Sequence, residues 1–453
     1  MGNFFYVSEK QKYMKKIKNN MQRYNLLMCI GYHKINMTNI LTQKNIVLLI
    51  GCLLFLFLVP FKGSAKESLK ISLMVSSGKQ RSVFVKEIRR FMKEHPEIET
   101  IHREMEQESY KNAIDSWLSS EKFHSDVFLW FSGAKLKDFV SRGWVQSIDD
   151  LWKNQNWDNK FTKISKTAVT VQGSIYGVPI SYYQWGFYYR KSIFQKYQIQ
   201  IPQNWEAFLK VGEVLKKHNI APILLGSKYR WTAAGWFDYL NLRINGLPFH
   251  NRLMAGHIAY TDPRIMELFR YWKELLDRQF FLKSHNELDW RSALPYLYRG
   301  RAGMLLMGNF LVPHLPERFI NDIDFFRFPQ IKPEMPYYEE APIDMLIIPH
   351  NARNKKAAQQ FLAFMARADI QYDMNSQMGM ISPNRTAKKG KNKFVQAGAK
   401  ILEEAEGISQ FYDRDTSRKM YEAGMDAIIQ FMKQPEKIGD ILKDLEKVRA
   451  ELF

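Results

Sequence analysis

Ten histidines, 46 acidic residues and two cysteines are the groups through which this 453-residue chain could do covalent, metal or acid–base chemistry. Their spacing supports little of it. The chain has no His-Glu-x-x-His motif, no Gly-x-Ser-x-Gly elbow and no Gly-x4-Gly-Lys-Ser/Thr phosphate loop. The histidines are scattered, so no metal site is expected. A glycosidase needs two facing carboxylates. Glu106, Asp344 and Glu339-Glu340 could be drawn into that role, but among 46 acids such a pair is easy to find. A Ser/His/Asp set is assembled in space, and no local pattern points to one. Aromatic residues make up 14% of the chain, a high share. Most such rings belong to cores and a minority to binding surfaces.

The length suggests two or three lobes of about 100–200 residues each. Hydrophobic content of 46% and charged content of 25% are those of a globular protein. The formal charge of +20 would suit a nucleic-acid or anionic-membrane partner. Its distribution argues otherwise. Residues 1–65 carry nine Lys/Arg against the single Glu9, so they account for +8. The rest is spread thinly, and the densest run, Lys388-Lys389-Gly390-Lys391-Asn392-Lys393, reads as a solvated loop. No nucleic-acid partner is expected.

Ile46 to Phe61 is an apolar run preceded by Lys44 and followed by Gly63-Ser64-Ala65. Charge, apolar stretch and small residues in this order read as a cleaved signal peptide, which places the mature chain in the periplasm. The run of about 16 residues falls short of a spanning helix, and an uncleaved anchor is the alternative. Starting at Met37 instead of Met1 would give a signal of ordinary length. Leu49-Ile50-Gly51-Cys52 resembles a lipoprotein box, but cleavage there would leave Leu53 to Phe61 as an exposed apolar tail. Both cysteines, Cys29 and Cys52, precede the expected cut. The mature chain then has no disulfide, thiolate nucleophile or cysteine zinc site.

Beyond the cut, strand and helix patterns alternate. Leu69 to Val75 reads as a buried strand, and Phe84, Ile88, Phe91 and Met92 mark a helix stopped at His95-Pro96. Asp126 to Trp130 is a second strand, with a helix from near Lys135. Trp205, Phe208, Leu209, Gly212 and Leu215 mark another helix. Ile265, Leu268, Phe269, Trp272 and Leu276 mark a further one, with Thr261-Asp262-Pro263 as its cap signal. Gly303 to Met307 and Asp344 to Pro349 are strands, and Ala358, Phe361, Leu362 and Met365 a helix. The alternation gives an α/β fold with mostly parallel sheets.

Several stretches carry a resemblance. They are His95-Pro96-Glu97-Ile98-Glu99, Gly173-Ser174-Ile175-Tyr176-Gly177-Val178-Pro179, Gly186-Phe187-Tyr188-Tyr189-Arg190-Lys191 and Ile201-Pro202-Gln203-Asn204-Trp205-Glu206-Ala207-Phe208. Gly303-Met304 before Gly308-Asn309-Phe310 follows. Last come Asn354-Lys355-Lys356-Ala357-Ala358-Gln359-Gln360-Phe361-Leu362 and Met378-Gly379-Met380-Ile381-Ser382-Pro383. In this order and spacing, from about Leu69 to the C-terminus, the chain resembles the family 1 extracellular solute-binding proteins of ABC importers. The resemblance implies a two-lobed periplasmic-binding-protein fold (class II-like) with a ligand cleft between the lobes. It implies residues 66–177 plus 338–380 in one lobe and 178–337 plus 381–453 in the other, after an N-terminal extension and signal peptide over 1–65. Three crossings are expected near Tyr176–Trp185, Phe328–Asp344 and Asn375–Pro383.

The resemblance also implies a monomeric carbohydrate binder that needs no cofactor. It would deliver its ligand to ABC permease subunits driven by a separate ATPase. Pyranose faces stack on aromatic rings, and their hydroxyls take carboxylates and amides. Trp130 ends a strand where the family often places a cleft aromatic, and Ser132 follows it. Tyr182, Tyr183 and Trp185 lie at the first crossing, with Tyr183 and Trp185 on one face. Trp231 and Trp236 enter a helix from a loop. Asn309 takes a cleft-facing position, although many members have Trp after this glycine and Asn309-Phe310 departs from that. Asp344 opens a strand at the second crossing. Ser76, Ser77 and Glu106 follow the first two strands and rank lower. A secreted glycoside hydrolase and a binding protein serving a chemoreceptor are the competing readings.

Overall fold

The structure, a computed structural model, describes residues 67–122 and 125–453. The export segment expected at 44–65, with Met37 and both cysteines, lies outside the described residues. Among those described, no helix is long and apolar enough to cross a membrane.

The strands, in chain order, are β1 (Glu67–Val75), β2 (Ile98–Glu106), β3 (Val127–Phe131), β4 (Thr170–Val171), β5 (Ser174–Ile175), β6 (Val178–Tyr182), β7 (Trp185–Arg190), β8 (Ala221–Leu224), β9 (Ala302–Gly308), β10 (Ile323–Phe326), β11 (Tyr338–Glu340), β12 (Ile343–Ile347) and β13 (Gly407–Ser409). They form two main sheets, ordered β2-β1-β3-β12-β6 and β10-β7-β9-β8. A short parallel pair joins β11, which stands between β10 and β12 in sequence, to β13, which follows both sheets.

Neither sheet is mostly parallel, which corrects the sequence expectation. β1 runs parallel to β2 and β3, but β12 is antiparallel to both β3 and β6. In the second sheet β9 is parallel to β8 and antiparallel to β7, and β10 is antiparallel to β7. The cause is connectivity. A strand reached directly from the other sheet enters at the edge where its neighbours end, so it must run the opposite way. β12 and β7 are those strands. The same pairing moves a boundary: β6 belongs to the first sheet, so the chain leaves that sheet at Tyr183-Gln184 and not at 177/178.

Apolar periodicity accounts for the helices that cover the sheets. Helix α1 (Gly78–Glu94) buries Val83, Phe84, Ile88 and Phe91 and ends at His95. Met92, expected on the same face, is exposed instead. Helix α2 (Gln107–Ser119) follows β2, and α3 (Ala134–Ser141) follows β3. On the second sheet, α4 (Trp231–Ile244) is buried on every side, which requires cover from several elements. These include α5 (Gly246–Met254), α6 (Pro263–Asp277) and α7 (Arg418–Lys433). Asp262 caps α6 through the Arg264 N–H, as its sequence signal predicts.

Candidate functional site

The strand directions bring two sheet edges together. β1, β3 and β6 end on one edge, and β12 begins there, with Asp344 opposite Phe131 and Ser181 and Ile343 opposite Tyr182. On the other edge β7 begins at Trp185, opposite Gly308 at the end of β9. Between them lies a pocket of about 80 Å³. Open α/β sheets place ligands at such carboxyl ends.

The first edge contributes mainly polar groups. Ser76, Gln80, Gln107, Lys111 and Asp344 line it, with Met74 and Phe131. Gln80 Oε1 accepts from both the N–H and the hydroxyl of Ser76, at 2.7 and 2.9 Å. The second edge contributes rings, namely Trp231, Trp290 and Phe310. Phe310 meets Trp290 edge-on with centroids 5.4 Å apart and Tyr183 at 5.1 Å. Glycines permit these approaches. A Cβ on Gly308 would lie 2.6 Å from the Phe310 ring and 2.8 Å from Trp185 Nε1. One on Gly226 would lie 2.5 Å from the Asp289 carbonyl oxygen, just before Trp290.

A third contribution comes from the segment after β13. Phe411, Asp413 and Arg414 close the pocket. The Arg414 guanidinium lies 3.6 Å from the Phe131 ring centroid, a cation–π geometry. It also pairs with Asp344 at 3.4 Å and donates to the Tyr183 hydroxyl at 3.3 Å. Asp413 pairs with Lys111 at 3.1 Å. Burial pushes the Asp344 carboxyl up, and Arg414 only partly opposes it. Burial acts the same way on Asp413, but Lys111 and Arg414 outweigh it and hold that carboxyl below its usual range. Both pocket acids thus face cations.

Among the residues singled out from the sequence, Tyr183, Trp231, Asp344 and Ser76 line the pocket. The others do not line it, each for a local reason, though Trp130 and Ser132 line an adjoining cavity with Lys111, Phe131 and Arg414, and Ser77 another with Gln80, Trp290 and Phe310. Trp130 is 1% exposed and packs against Tyr110, Phe139 and the Lys135 ammonium. Strand alternation sends the next residue, Phe131, to the pocket instead. Ser132 is buried and donates to Gln410 Oε1 at 2.8 Å. Tyr182 exchanges backbone hydrogen bonds with Ile381 and packs on a small cluster with Ala341, and burial pushes its hydroxyl up to about 12. Trp185 is fully buried beneath the pocket, edge-on to Phe411 at 4.8 Å and to Trp231 at 6.0 Å. Trp236 is core, against Phe187, Phe281 and Phe328. Asn309 is fully buried, and its neighbour Phe310 supplies the ring. Ser77 caps α1, accepting the Gln80 N–H. Glu106 caps α2, accepting the N–H groups of Glu108 and Ser109. Glu339, from the glycosidase search, is held by Arg243 at 2.8 Å and Arg327 at 3.1 Å.

Sequence reasoning missed Gln80, Gln107, Lys111, Phe131, Trp290, Phe310, Met380, Phe411, Asp413 and Arg414. One signal was available for Trp290. Like Trp231, it opens a helix directly after a turn, here with Asp289 as the cap.

Comparison with known proteins agrees with this geometry. Residues 76–372 match the family model for bacterial extracellular solute-binding proteins. An ABC transporter extracellular-binding protein of Pyrococcus horikoshii is 23% identical over 335 residues, covering 72% of this chain and 74% of its own. The multiple sugar-binding protein of Streptococcus mutans is 22% identical over 204 residues, covering 44% of this chain and 49% of its own. Among solved structures, the bacterial solute receptor AcbH, with its exclusive preference for β-D-galactopyranose, superposes with a TM-score of 0.80. It is 27% identical and covers 86% of this chain and all of its own, 100%. A chitin oligosaccharide binding protein gives a TM-score of 0.77 at 19% identity, covering 85% of this chain and 98% of its own. These are two-lobed binding proteins, and the family is one of binders, not enzymes. With the family model spanning well over half the sequence, the chain belongs to the bacterial extracellular solute-binding proteins.

Proposed function

We propose that this protein captures a carbohydrate outside the cytoplasm and delivers it to the permease of an ABC transporter. The observation that carries the reading is the composition of the pocket. Rings on one edge suit the apolar faces of a pyranose, and Asp344, Lys111, Gln80 and Gln107 on the other suit its hydroxyls. The sugar binding stated for AcbH and the Streptococcus mutans protein supports the same class of ligand.

The mechanism is capture by closure. A sugar touching both edges makes more contacts in the closed form and shifts the population toward it. The closed monomer then docks on permease subunits powered by a separate ATPase. Residues 44–65 serve as the signal that exports the chain to the periplasm.

The test is a thermal-shift screen of residues 66–453 against mono- and oligosaccharides. A true ligand raises the melting temperature progressively as its concentration exceeds Kd. The absence of a shift with every sugar, alongside a shift with a peptide or polyamine, would sink the reading.

A further inference from the structure

Asp238, His250 and Glu340 come from three different elements, α4, α5 and β11, and each is fully buried. One ligand atom of each lies within 4.8 Å of the other two. We propose that these three side chains form a site for a divalent transition-metal ion that fastens the strands between the lobes to the second lobe.

The polar atoms divide into two sets. One set is occupied: Asp238 Oδ2 accepts the Tyr412 N–H at 3.0 Å, Glu340 Oε1 accepts the Ser409 hydroxyl, and His250 Nδ1 meets the Asn241 amide at 3.1 Å. The other set is not. Asp238 Oδ1, Glu340 Oε2 and His250 Nε2 are buried without a hydrogen-bond partner. Each side chain is therefore oriented by one outer contact and leaves one free donor atom. This is how metal ligands are held by their surroundings. An unpaired buried polar atom is costly, and here three of them belong to residues of three elements whose ligand groups meet at one place.

Charge points the same way. Among the described residues, no Lys or Arg forms an ion pair with Asp238 or Glu340, unlike the neighbouring Glu339 with its two arginines. Two carboxylates and a neutral imidazole balance one divalent cation. One nitrogen and two oxygens suit zinc and its neighbours in the first transition row better than calcium or magnesium, which take oxygen alone. Ligands around one ion at about 2.0–2.2 Å stand closer together than the span seen here, so binding draws them in slightly. Binding through Nε2 also leaves the imidazole proton on Nδ1, which then needs an acceptor. Turning the Asn241 amide over presents its oxygen. The Asn245 amide, which now donates to Asn241, must turn with it and gives up only a long 3.4 Å contact to the Arg264 carbonyl.

The placement gives the ion a consequence. β11 stands in sequence between β10 of the second sheet and β12 of the first and pairs with β13, and Phe411, Asp413 and Arg414 of the pocket follow β13 directly. An ion on Glu340 and Asp238 would hold this pair, and through Tyr412 the pocket segment, against α4.

The experiment is metal analysis of the whole exported chain, residues 66–453, equilibrated with micromolar zinc chloride and desalted. We expect about one zinc per chain and a melting temperature that falls on adding a chelator. His250→Gln, which keeps size and polarity, should lose about nine-tenths of the bound zinc. Failure of the wild-type chain to retain zinc would overturn the proposal, leaving the cluster to be held by shared protons. So would retention by His250→Gln equal to wild type. Should that variant not fold, the X-ray absorption spectrum of the loaded wild-type chain decides. One imidazole with oxygen neighbours supports the site, and two or more imidazoles, the mark of surface histidines, refute it.

Discussion

The two edges of the pocket differ in kind. The edge built from β1, β3 and β12 presents hydroxyl, amide, ammonium and carboxylate groups, while the edge built from β7, β8 and β9 presents Trp231, Trp290 and Phe310. Neither lobe alone matches a pyranose, which has both apolar faces and a polar rim. On the proposed reading, each lobe would recognise a different aspect of the same sugar. On that reading only a ligand with both aspects would reward closure, and selectivity would arise from the pairing of edges and not from either surface.

Four substitutions test this contrast. The largest effect is expected on the polar edge. Asp344→Asn removes charge-assisted hydrogen bonds worth about 1.5–3 kcal/mol, so calorimetry should show Kd rising about 10–100-fold. On the ring edge, Trp231→Ala removes stacking worth about 0.5–1.5 kcal/mol and should raise Kd up to about 10-fold. If Trp231→Ala proves the more damaging, the polar edge is not the dominant partner.

The segment between the edges gives a smaller effect, and one on stability. Burial pushes the Asp415 carboxyl up to about 6. A raised folded-state value means that the folded chain holds its proton more tightly than the unfolded one. The associated stability is complete below the ordinary value near 3.8 and is lost as pH rises through about 6. Asp415→Asn should remove that slope and stabilise the protein at neutral pH by about 1–2 kcal/mol, discounted because the side chain is not wholly shielded from water. Urea unfolding at pH 4 and pH 7 measures it. Least of all, Ser77→Ala should cost about 1 kcal/mol of stability through the lost α1 cap and leave sugar affinity unchanged. A change in affinity would move Ser77 from support to contact.

The helices were legible because their apolar spacing is local, as α1 and α6 illustrate. Pocket residues were legible only where a turn or strand end advertised them, as at Trp231 and Asp344. Trp130 shows where this fails. Val127 to Phe131 are all buried, so the strand carries no alternation from which to read a face. The pairing of Phe131 with Asp344 decides which ring fronts the cleft, and that pairing joins segments far apart in the chain. The same holds for Arg414, which meets Asp344 across 70 residues. Asp238 and His250 fall on two helices broken at Asn245, so no single-helix spacing linked them. The mixed sheets follow from β12 and β7, each entering from the other sheet, which periodicity cannot reveal.

The passage from β6 to β7 is only Tyr183-Gln184 long, and Tyr183 is itself a pocket residue. If the lobes swing on this passage, a group at it travels least, whereas Trp231 and Trp290 belong to the arm that moves. Contacts at Tyr183 should therefore form at first encounter, and those at the tryptophans only as the arm comes round. In stopped-flow experiments Tyr183→Phe would then alter the rate of capture, while Trp231→Ala would shorten residence. Equal shifts in both rates for both variants would show that the pivot lies elsewhere.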